Sequence, residues 1–304
     1  MKIKIGIFVL PHEIDQYEEV VKQLKLCSFF LDDLEVEVDV VLSLSDELMN
    51  WNECVIPKDY FKSKFEKVNR LFDWALPSSK FVASEKSDIL GCVSHRRNVW
   101  KTASDDTEAI MFIDCDMVFD NYALYELEAA LSSISKSLDY YIITPQIVRI
   151  WDSTWDVIVN KNYMNKDHHY HKTADVYHVV NNVPEKFDST RSLMETTQFK
   201  FAGGWLTTIS KKLLDFVEIP SEFGHYGLED TYIMGCAAFM RNKNIDVSQF
   251  VVEGMLVCEN YKYRDVSYLV KYLSPIDRRD EFLEVAHRNF FPMLDKFERS
   301  KLNG

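Results

Sequence analysis

Apolar positions along the chain change their spacing several times, and each change marks an element. Ile3 to Leu10 is a short, mostly apolar run, which predicts a buried β-strand. From Glu13 to Leu31 the positions Tyr17, Val20, Val21, Leu24 and Cys27 fall on one face at helical spacing. Val36 to Leu44 is β-branched and apolar, and predicts a second strand. A strand, a helix and a strand in this order predict parallel pairing, with helices on the faces of the sheet.

Between residues 46 and 85, Trp51, Phe61, Phe65, Leu71, Phe72 and Trp74 predict a helical insertion packed on the core, with a loop at Pro77-Ser78-Ser79. Ser94 is placed to cap a helix through Arg96, Arg97, Asn98, Val99 and Trp100, which ends at Asp105-Asp106. Ala109 to Ile113 has the pattern of a central strand buried on both faces. A helix over Asn121 to Leu138 and a strand over Tyr140 to Thr144, ended by Pro145, follow. From Trp151 to Arg191 the chain is polar, aromatic and His-rich without a clear period. Phe199 to Ile209 is partly strand-like and broken by Gly203-Gly204; Asp230 to Met240 is helical. Val251 to Val257 is the last strand, and Val266 to Lys301 is mostly helical. No internal repeat or low-complexity linker interrupts the chain. The expected fold class is a single α/β domain over 1–304, with a mixed, mostly parallel central sheet flanked by helices.

Composition narrows the function classes. The 304 residues are 47% hydrophobic and 27% charged, as in a folded globular protein and unlike a disordered one. The net charge of -13 argues against a broad nucleic-acid footprint and suits a site that holds a cation on carboxylates. The six cysteines form no CxxC pair and no Cys/His cluster with zinc spacing. They read as reduced thiols of a cytoplasmic protein. No run approaches the roughly 20 apolar residues of a membrane span. The apolar start ends at Pro11-His12-Glu13 without a small-residue cleavage site, so it reads as a strand rather than a signal peptide.

The first candidate site is Asp114-Cys115-Asp116, directly after the central strand. Ligands of open α/β sheets bind at the carboxyl ends of the strands. In an extended segment, residues two apart point the same way, so both carboxylates would face one cation. Mg²⁺ and Mn²⁺ take oxygen ligands and often join a carboxylate to substrate phosphates. The competing reading is a polar turn after a strand.

Phe112-Ile113-Asp114-Cys115-Asp116 resembles the DxD motif of glycosyltransferases with the GT-A fold, and most of the chain resembles their family-2-like members. Ser94-His95-Arg96-Arg97-Asn98 is similar to the "ARN" helix upstream of that motif. Phe8-Val9-Leu10-Pro11 is similar to the end of the first strand, where the base packs. Val40-Val41-Leu42-Ser43-Leu44-Ser45-Asp46 occupies the place of an Asp-Asp-Gly-Ser signature, here degraded. The resemblance implies a GT-A, Rossmann-like fold, with residues 1–120 binding a nucleotide-sugar and residues 121–304 building the acceptor side. It implies Asp114 and Asp116 as metal ligands. Pro11, Ser43, Arg97, Asn98 and Asp114 become candidate donor contacts.

The second candidate site is Gly224-His225-Tyr226-Gly227-Leu228-Glu229-Asp230. Acidic residues in a first helical turn favour the positive end of the dipole, so helix capping is one reading. Upstream lies Phe201-Ala202-Gly203-Gly204-Trp205, where Gly permits close backbone approach and Trp can stack on a sugar. Together these resemble the Gly-rich segment and "GxED" motif of inverting GT-A enzymes. The match implies Asp230 as general base and Glu229 as an acceptor contact, with Gly203, Gly204 and Trp205 lining the ligand. The family often has a third metal ligand after the last core strand. The family often has His there; this chain has Cys258-Glu259-Asn260 instead, which makes Glu259 or Asn260 the candidate. Lys262 and Arg264 read as either diphosphate contacts or solvated surface charge.

Three weaker features remain. Asp167-His168-His169-Tyr170-His171 reads better as a loop over the acceptor cleft than as a metal site. Trp151 and Trp155 read as packing, and Arg97 and Lys101 as either phosphate contacts or a solvated helix face. The sequence reading is a metal-dependent transferase that uses Mn²⁺ or Mg²⁺ and a nucleoside-diphosphate sugar, UDP first. Its acceptor hydroxyl could belong to a glycan, a lipid-linked sugar, a protein or a hydroxymethylated base in viral DNA. The alternatives are a nucleotidyl or phosphoryl transferase with an Asp-x-Asp metal site, although no GxxxxGK[ST] loop is present, and a non-catalytic carbohydrate-binding protein.

Overall fold

The computed structural model describes residues 1–49, 51, 54–72, 79–88, 90–119, 121–151, 193–196, 204–260 and 279–302, with backbone alone for 146–151, 194, 253, 254, 256, 258–260 and 279. The alternation in the first strand sets the architecture. β1 (Lys2–Val9) sends Ile3, Ile5, Ile7 and Val9 to one face, where all are fully buried. That face receives α1 (Ile14–Ser28) and α2 (Lys58–Asn69). The other face carries Lys2, Lys4 and Gly6. α3 (Cys92–Lys101) lies over it so closely that an added Cβ on Gly6 would stand 2.8 Å from Val99 Cγ2. Lys4 is buried there and pairs with Glu37 at 3.3 Å and Asp39 at 3.4 Å, as a buried ammonium requires.

β2 (Glu35–Ser43) and β4 (Ala109–Ile113) flank β1, both in parallel. All five residues of β4 are buried. Ala109, Met111 and Ile113 enter the core under α1, α2 and α4 (Ala123–Ile134). Ile110 and Phe112 enter a second core on the opposite face, under α3, α5 (Lys211–Val217), α6 (Glu229–Asn242) and α7 (Arg279–Phe297). A strand buried on both faces needs an apolar side chain at every position, which is why this run lacks the alternation of a half-exposed strand.

Among the described residues the sheet has nine strands. Besides those above they are β3 (Lys80–Lys86), β5 (Met117–Phe119), β6 (Tyr140–Trp151), β7 (Leu193–Glu195), β8 (Trp205–Ser210) and β9 (Val247–Asn260). The order is β3-β2-β1-β4-β8-β6-β9-β5, with β7 on β9. β8 runs antiparallel to β4 and β6, and β6 is parallel to β9. The fold class is therefore the expected one, a mixed, mostly parallel sheet flanked by helices.

Several local expectations are corrected. β3 is a strand inside the expected helical insertion. It lies at the sheet edge, is largely exposed, and so carries Lys and Glu rather than an apolar run. β5 is only three residues long, too short for a period. β6 does not end at Pro145: it continues to Trp151, and its pairing with β9 shifts register between Pro145 and Gln146, which accommodates the missing N–H. α3 starts at Cys92 with Gly91 as its N-cap, so Ser94 is the third helical residue; its hydroxyl accepts from Gly91 N–H at 3.0 Å. Cys27, Cys54, Cys92, Cys115 and Cys236 are free thiols, as expected. No helix among the described residues is long and apolar enough to cross a membrane. The His-rich segment with His168, His169 and His171, together with Trp155, lies outside the described residues, and of Trp151 the backbone alone is described.

Gly6→Val is expected to destabilise the protein by about 1–3 kcal/mol, although Val favours strands, because the new side chain must enter the space of buried Val99. The reading is a lower urea midpoint with an unchanged slope. A midpoint equal to the wild type would show that α3 does not lie this close to β1.

Candidate functional site

The carboxyl end of β4 carries the acidic pair. Asp114 N–H donates to Gly204 carbonyl oxygen at 2.7 Å, and Met117 N–H donates back to Asp114 carbonyl oxygen at 3.3 Å. The second bond closes a turn over Asp114 to Met117, so the segment is not extended and residues two apart do not share a side by default. Cys115 is the buried anchor of this turn: its thiol donates to Phe8 carbonyl oxygen at 3.0 Å, and burial pushes it well above the usual thiol range. Asp114 is left 37% exposed, open enough to meet a ligand, and Asp116 is half-buried. Glu259, on β9, pairs by backbone with Met117, next in the chain to Asp116.

The residue that organises the site is Arg96, which the sequence reading passed over in favour of its neighbours. Its Nη2 donates to Asp114 Oδ1 at 2.6 Å, and its Nη1 donates to Glu229 Oε1. The guanidinium is buried and also lies over the Phe112 ring, 5.4 Å from the centroid. Glu229 is 2% exposed, and a carboxylate buried to that degree is compensated by such a partner. An alternation of basic residues in Arg96-Arg97 held the clue: on a helix, one of two adjacent positions faces inward.

Arg97 and Asn98 do not reach the site. Arg97 is committed to backbone carbonyls: Nε donates to Ile219 at 3.1 Å, and Nη2 to Pro220 at 2.6 Å and Gly224 at 3.3 Å. A guanidinium so engaged holds the turn before α6 and is not a phosphate contact. Asn98 is exposed and two residues along the helix from Arg96, on a different face; Lys101 is exposed as well.

Backbone strain shapes the opposite wall. Leu206 has φ +54° and is the extra residue of a β-bulge: Trp205 pairs with Ile113 and Thr207 with Phe112. The bulge lets Gly204 approach the acidic pair. A Cβ there would stand 2.1 Å from Arg96 Nη2 and 2.2 Å from Asp114 Oδ1, so close approach demands glycine. Trp205 is 9% exposed and belongs to the core, which leaves it no open face for stacking on a sugar. Gly203 lies outside the described residues, as do Lys262 and Arg264.

The second acidic segment enters α6 through Gly227 at φ +90° and Leu228 at φ +65°. Glu229 turns to Arg96 rather than to the helix end. Asp230 Oδ1 accepts from the Thr231 hydroxyl at 3.2 Å and from Thr231 N–H, which meets part of the capping role. Burial pushes the Asp230 carboxyl up to about 7, the charge of Glu229 adds to this, and Arg96 and the Thr231 bonds offset part of it. A carboxyl tuned to this range is suited to taking a proton near neutral pH.

At the ends of β1 and β2, Pro11 is buried at the start of a single 3-10 turn. Ser43 is fully buried, and its hydroxyl has no hydrogen-bond partner among the described residues. His12, next to Pro11, is held neutral because burial lowers it to about 4, and its Nδ1 has no partner among the described residues. Both are orphan polar atoms at the sheet edge where a ligand would lie. Among the described residues no three His, Cys, Asp or Glu side chains form a cage for a metal. Asp114, 37% exposed and bonded to Arg96 through Oδ1, offers its other carboxylate oxygen on the open side, the kind of ligand that a hard cation takes together with substrate phosphates.

The sign of the Asp230 shift gives a stability test. The carboxyl is raised from 3.8 to about 7, so between these values the folded state holds a proton that the unfolded state has lost. Wild-type stability should then fall as pH rises through this window. Asp230→Asn cannot ionise. Its urea midpoint should exceed that of the wild type above about pH 7, and the gap should close toward pH 3.8. A gap independent of pH would sink the assignment.

No protein-family model matches this sequence, and no curated protein matches it. Solved structures resemble it at low identity. S. aureus TarS 1–349 aligns with 99% of this chain and 73% of its own, at 14% identity and a TM-score of 0.49. S. aureus TarS aligns with 100% of this chain and 44% of its own, at 13% identity and a TM-score of 0.46. GalNAc-T7 with UDP, GalNAc and Mn²⁺ aligns with 99% of this chain and 58% of its own, at 11% identity and a TM-score of 0.46. Similarity at this level leaves the chemistry to be argued from the chain's own side chains.

Proposed function

We propose that this protein is a metal-dependent glycosyltransferase of the GT-A type, which moves a sugar from a nucleoside-diphosphate sugar to an acceptor hydroxyl with inversion. The observation that carries this reading is the joining of the two acidic motifs through one guanidinium, with Asp230 tuned to about 7 beside them. UDP is put first by the resemblance of the motifs. Residues 1–120 would form the donor half and residues 121–304 the acceptor half.

Separate carboxylates would do separate work. Asp114 and Asp116, with Glu259 as a third candidate, would hold Mn²⁺ or Mg²⁺, which supplies charge stabilisation to the departing diphosphate. Pro11 and Ser43 would line the base and ribose, where the buried Ser43 hydroxyl still has bonding capacity. Asp230 would accept the proton of the acceptor hydroxyl as the new bond forms. Glu229 is turned from a direct acceptor contact to a second-row role: it holds Arg96. The acceptor is a glycan, lipid-linked sugar, protein or modified base.

Incubation with a panel of nucleoside-diphosphate sugars and Mn²⁺ tests the reading. Release of nucleoside diphosphate, UDP above all, is expected, and Asp114→Ala with Asp116→Ala should abolish metal-dependent turnover. Release of sugar 1-phosphate would point instead to nucleotidyl transfer, and release of a nucleoside monophosphate to transfer of the sugar phosphate. Asp230→Asn should lower kcat by about 10²–10⁴-fold, the usual weight of a general base. In the wild type, kcat/KM should rise with pH through about 7 as Asp230 ionises. A rate that is flat across that range would remove Asp230 from the role.

A further inference from the structure

One buried cation serves two carboxylates that come from opposite halves of the chain. Asp114 follows β4, and Glu229 opens α6, 115 positions later by residue number. Arg96 spans them with its two terminal nitrogens. Lys would not do this, because an ammonium on a flexible stem lacks the planar fork that meets two acceptors at once. The guanidinium is fixed on every side. Phe112 lies beneath it, Gly204 has no room for a Cβ above it, and α3 is tied to the α6 loop by Arg97 and by Val93 N–H, which donates to His225 carbonyl oxygen at 3.1 Å.

We infer that Arg96 is a positioning residue that sets the cation affinity of Asp114 according to the charge on Glu229. This rests on the reading of Asp114 as a metal ligand. The Glu229 carboxylate takes up part of the guanidinium's charge, and Asp114 retains enough negative charge to bind a cation. When the charge on Glu229 is removed, the whole of Arg96 bears on Asp114 and opposes a second cation there. The acceptor-side carboxylate thus tunes the donor side without touching the metal. The coupling belongs to the arginine and not to proximity alone.

A cycle of charge-neutral variants tests this. Mn²⁺ binding in the presence of UDP is measured from the free-ion electron paramagnetic resonance signal, with no turnover required. Glu229→Gln is expected to weaken Mn²⁺ binding by about 10-fold. Adding Arg96→Met to Glu229→Gln removes the uncompensated cation and is expected to restore wild-type affinity or better. A purely structural role for the pair predicts the opposite, since each further core change would weaken binding. Arg96→Gln in the same background provides a second neutral variant should the methionine fail to fold. The inference is overturned if the double variant binds as weakly as Glu229→Gln, or if Glu229→Gln binds like the wild type. A wild-type protein that binds no Mn²⁺ with UDP would overturn the metal reading itself and this role with it.

Discussion

A guanidinium removed from water must be compensated, and the arrangement of the candidate site follows from how Arg96 meets that demand. Leaving an ion unpaired inside a protein costs several kcal/mol, so Asp114 and Glu229 are not optional neighbours. Each comes from a different part of the chain, and each must arrive with its oxygen at the right place. The bulge at Leu206 and the bare Cα of Gly204 let backbone come close to this one cation, and the left-handed backbone at Gly227 and Leu228 leads into the helix that carries Glu229. Strain of this kind persists where surrounding structure holds it, and it is common at functional sites.

The sheet provides the holding. β4 is buried on both faces and lies between β1 and β8, so the turn that follows it has little freedom. Cys115 pins the turn to β1, between Asp114, which bonds Arg96, and the half-buried Asp116. α3 rests on Gly6 of β1, and Arg97 on the same helix grips the carbonyls before α6. Two adjacent arginines therefore divide the labour: one joins the carboxylates, and the other fixes the loop that delivers one of them. Asp230 gains its raised affinity for protons from the same place, since it shares the interior with Glu229 but has a weaker claim on Arg96.

Much of this was legible in the sequence, where a regular period forced a regular element. The apolar runs of β1, β2 and β4 and the helical stripe of α1 demanded a parallel core, because such faces can only be satisfied between layers. The two acidic motifs were legible by residue type, since carboxylates after a buried strand or at a helix start need a partner. Elements without a period were not legible. Exposed β3, three-residue β5 and the part of β6 beyond Pro145 owe their existence to strands lying beside them.

The sequence by itself determined the layers, the buried strand and the presence of carboxylates at its end, because burial and periodicity are local properties of residue order. Only the tertiary structure decided which basic residue serves them. Arg96 and Arg97 are chemically identical neighbours, and a rotation of about 100° on the helix separates a buried bridge from a loop clamp. Trp205 likewise reads as an open aromatic until the bulge at Leu206 turns it into the core. Direction in space depends on contacts between segments far apart in the chain, and no single segment carries that information.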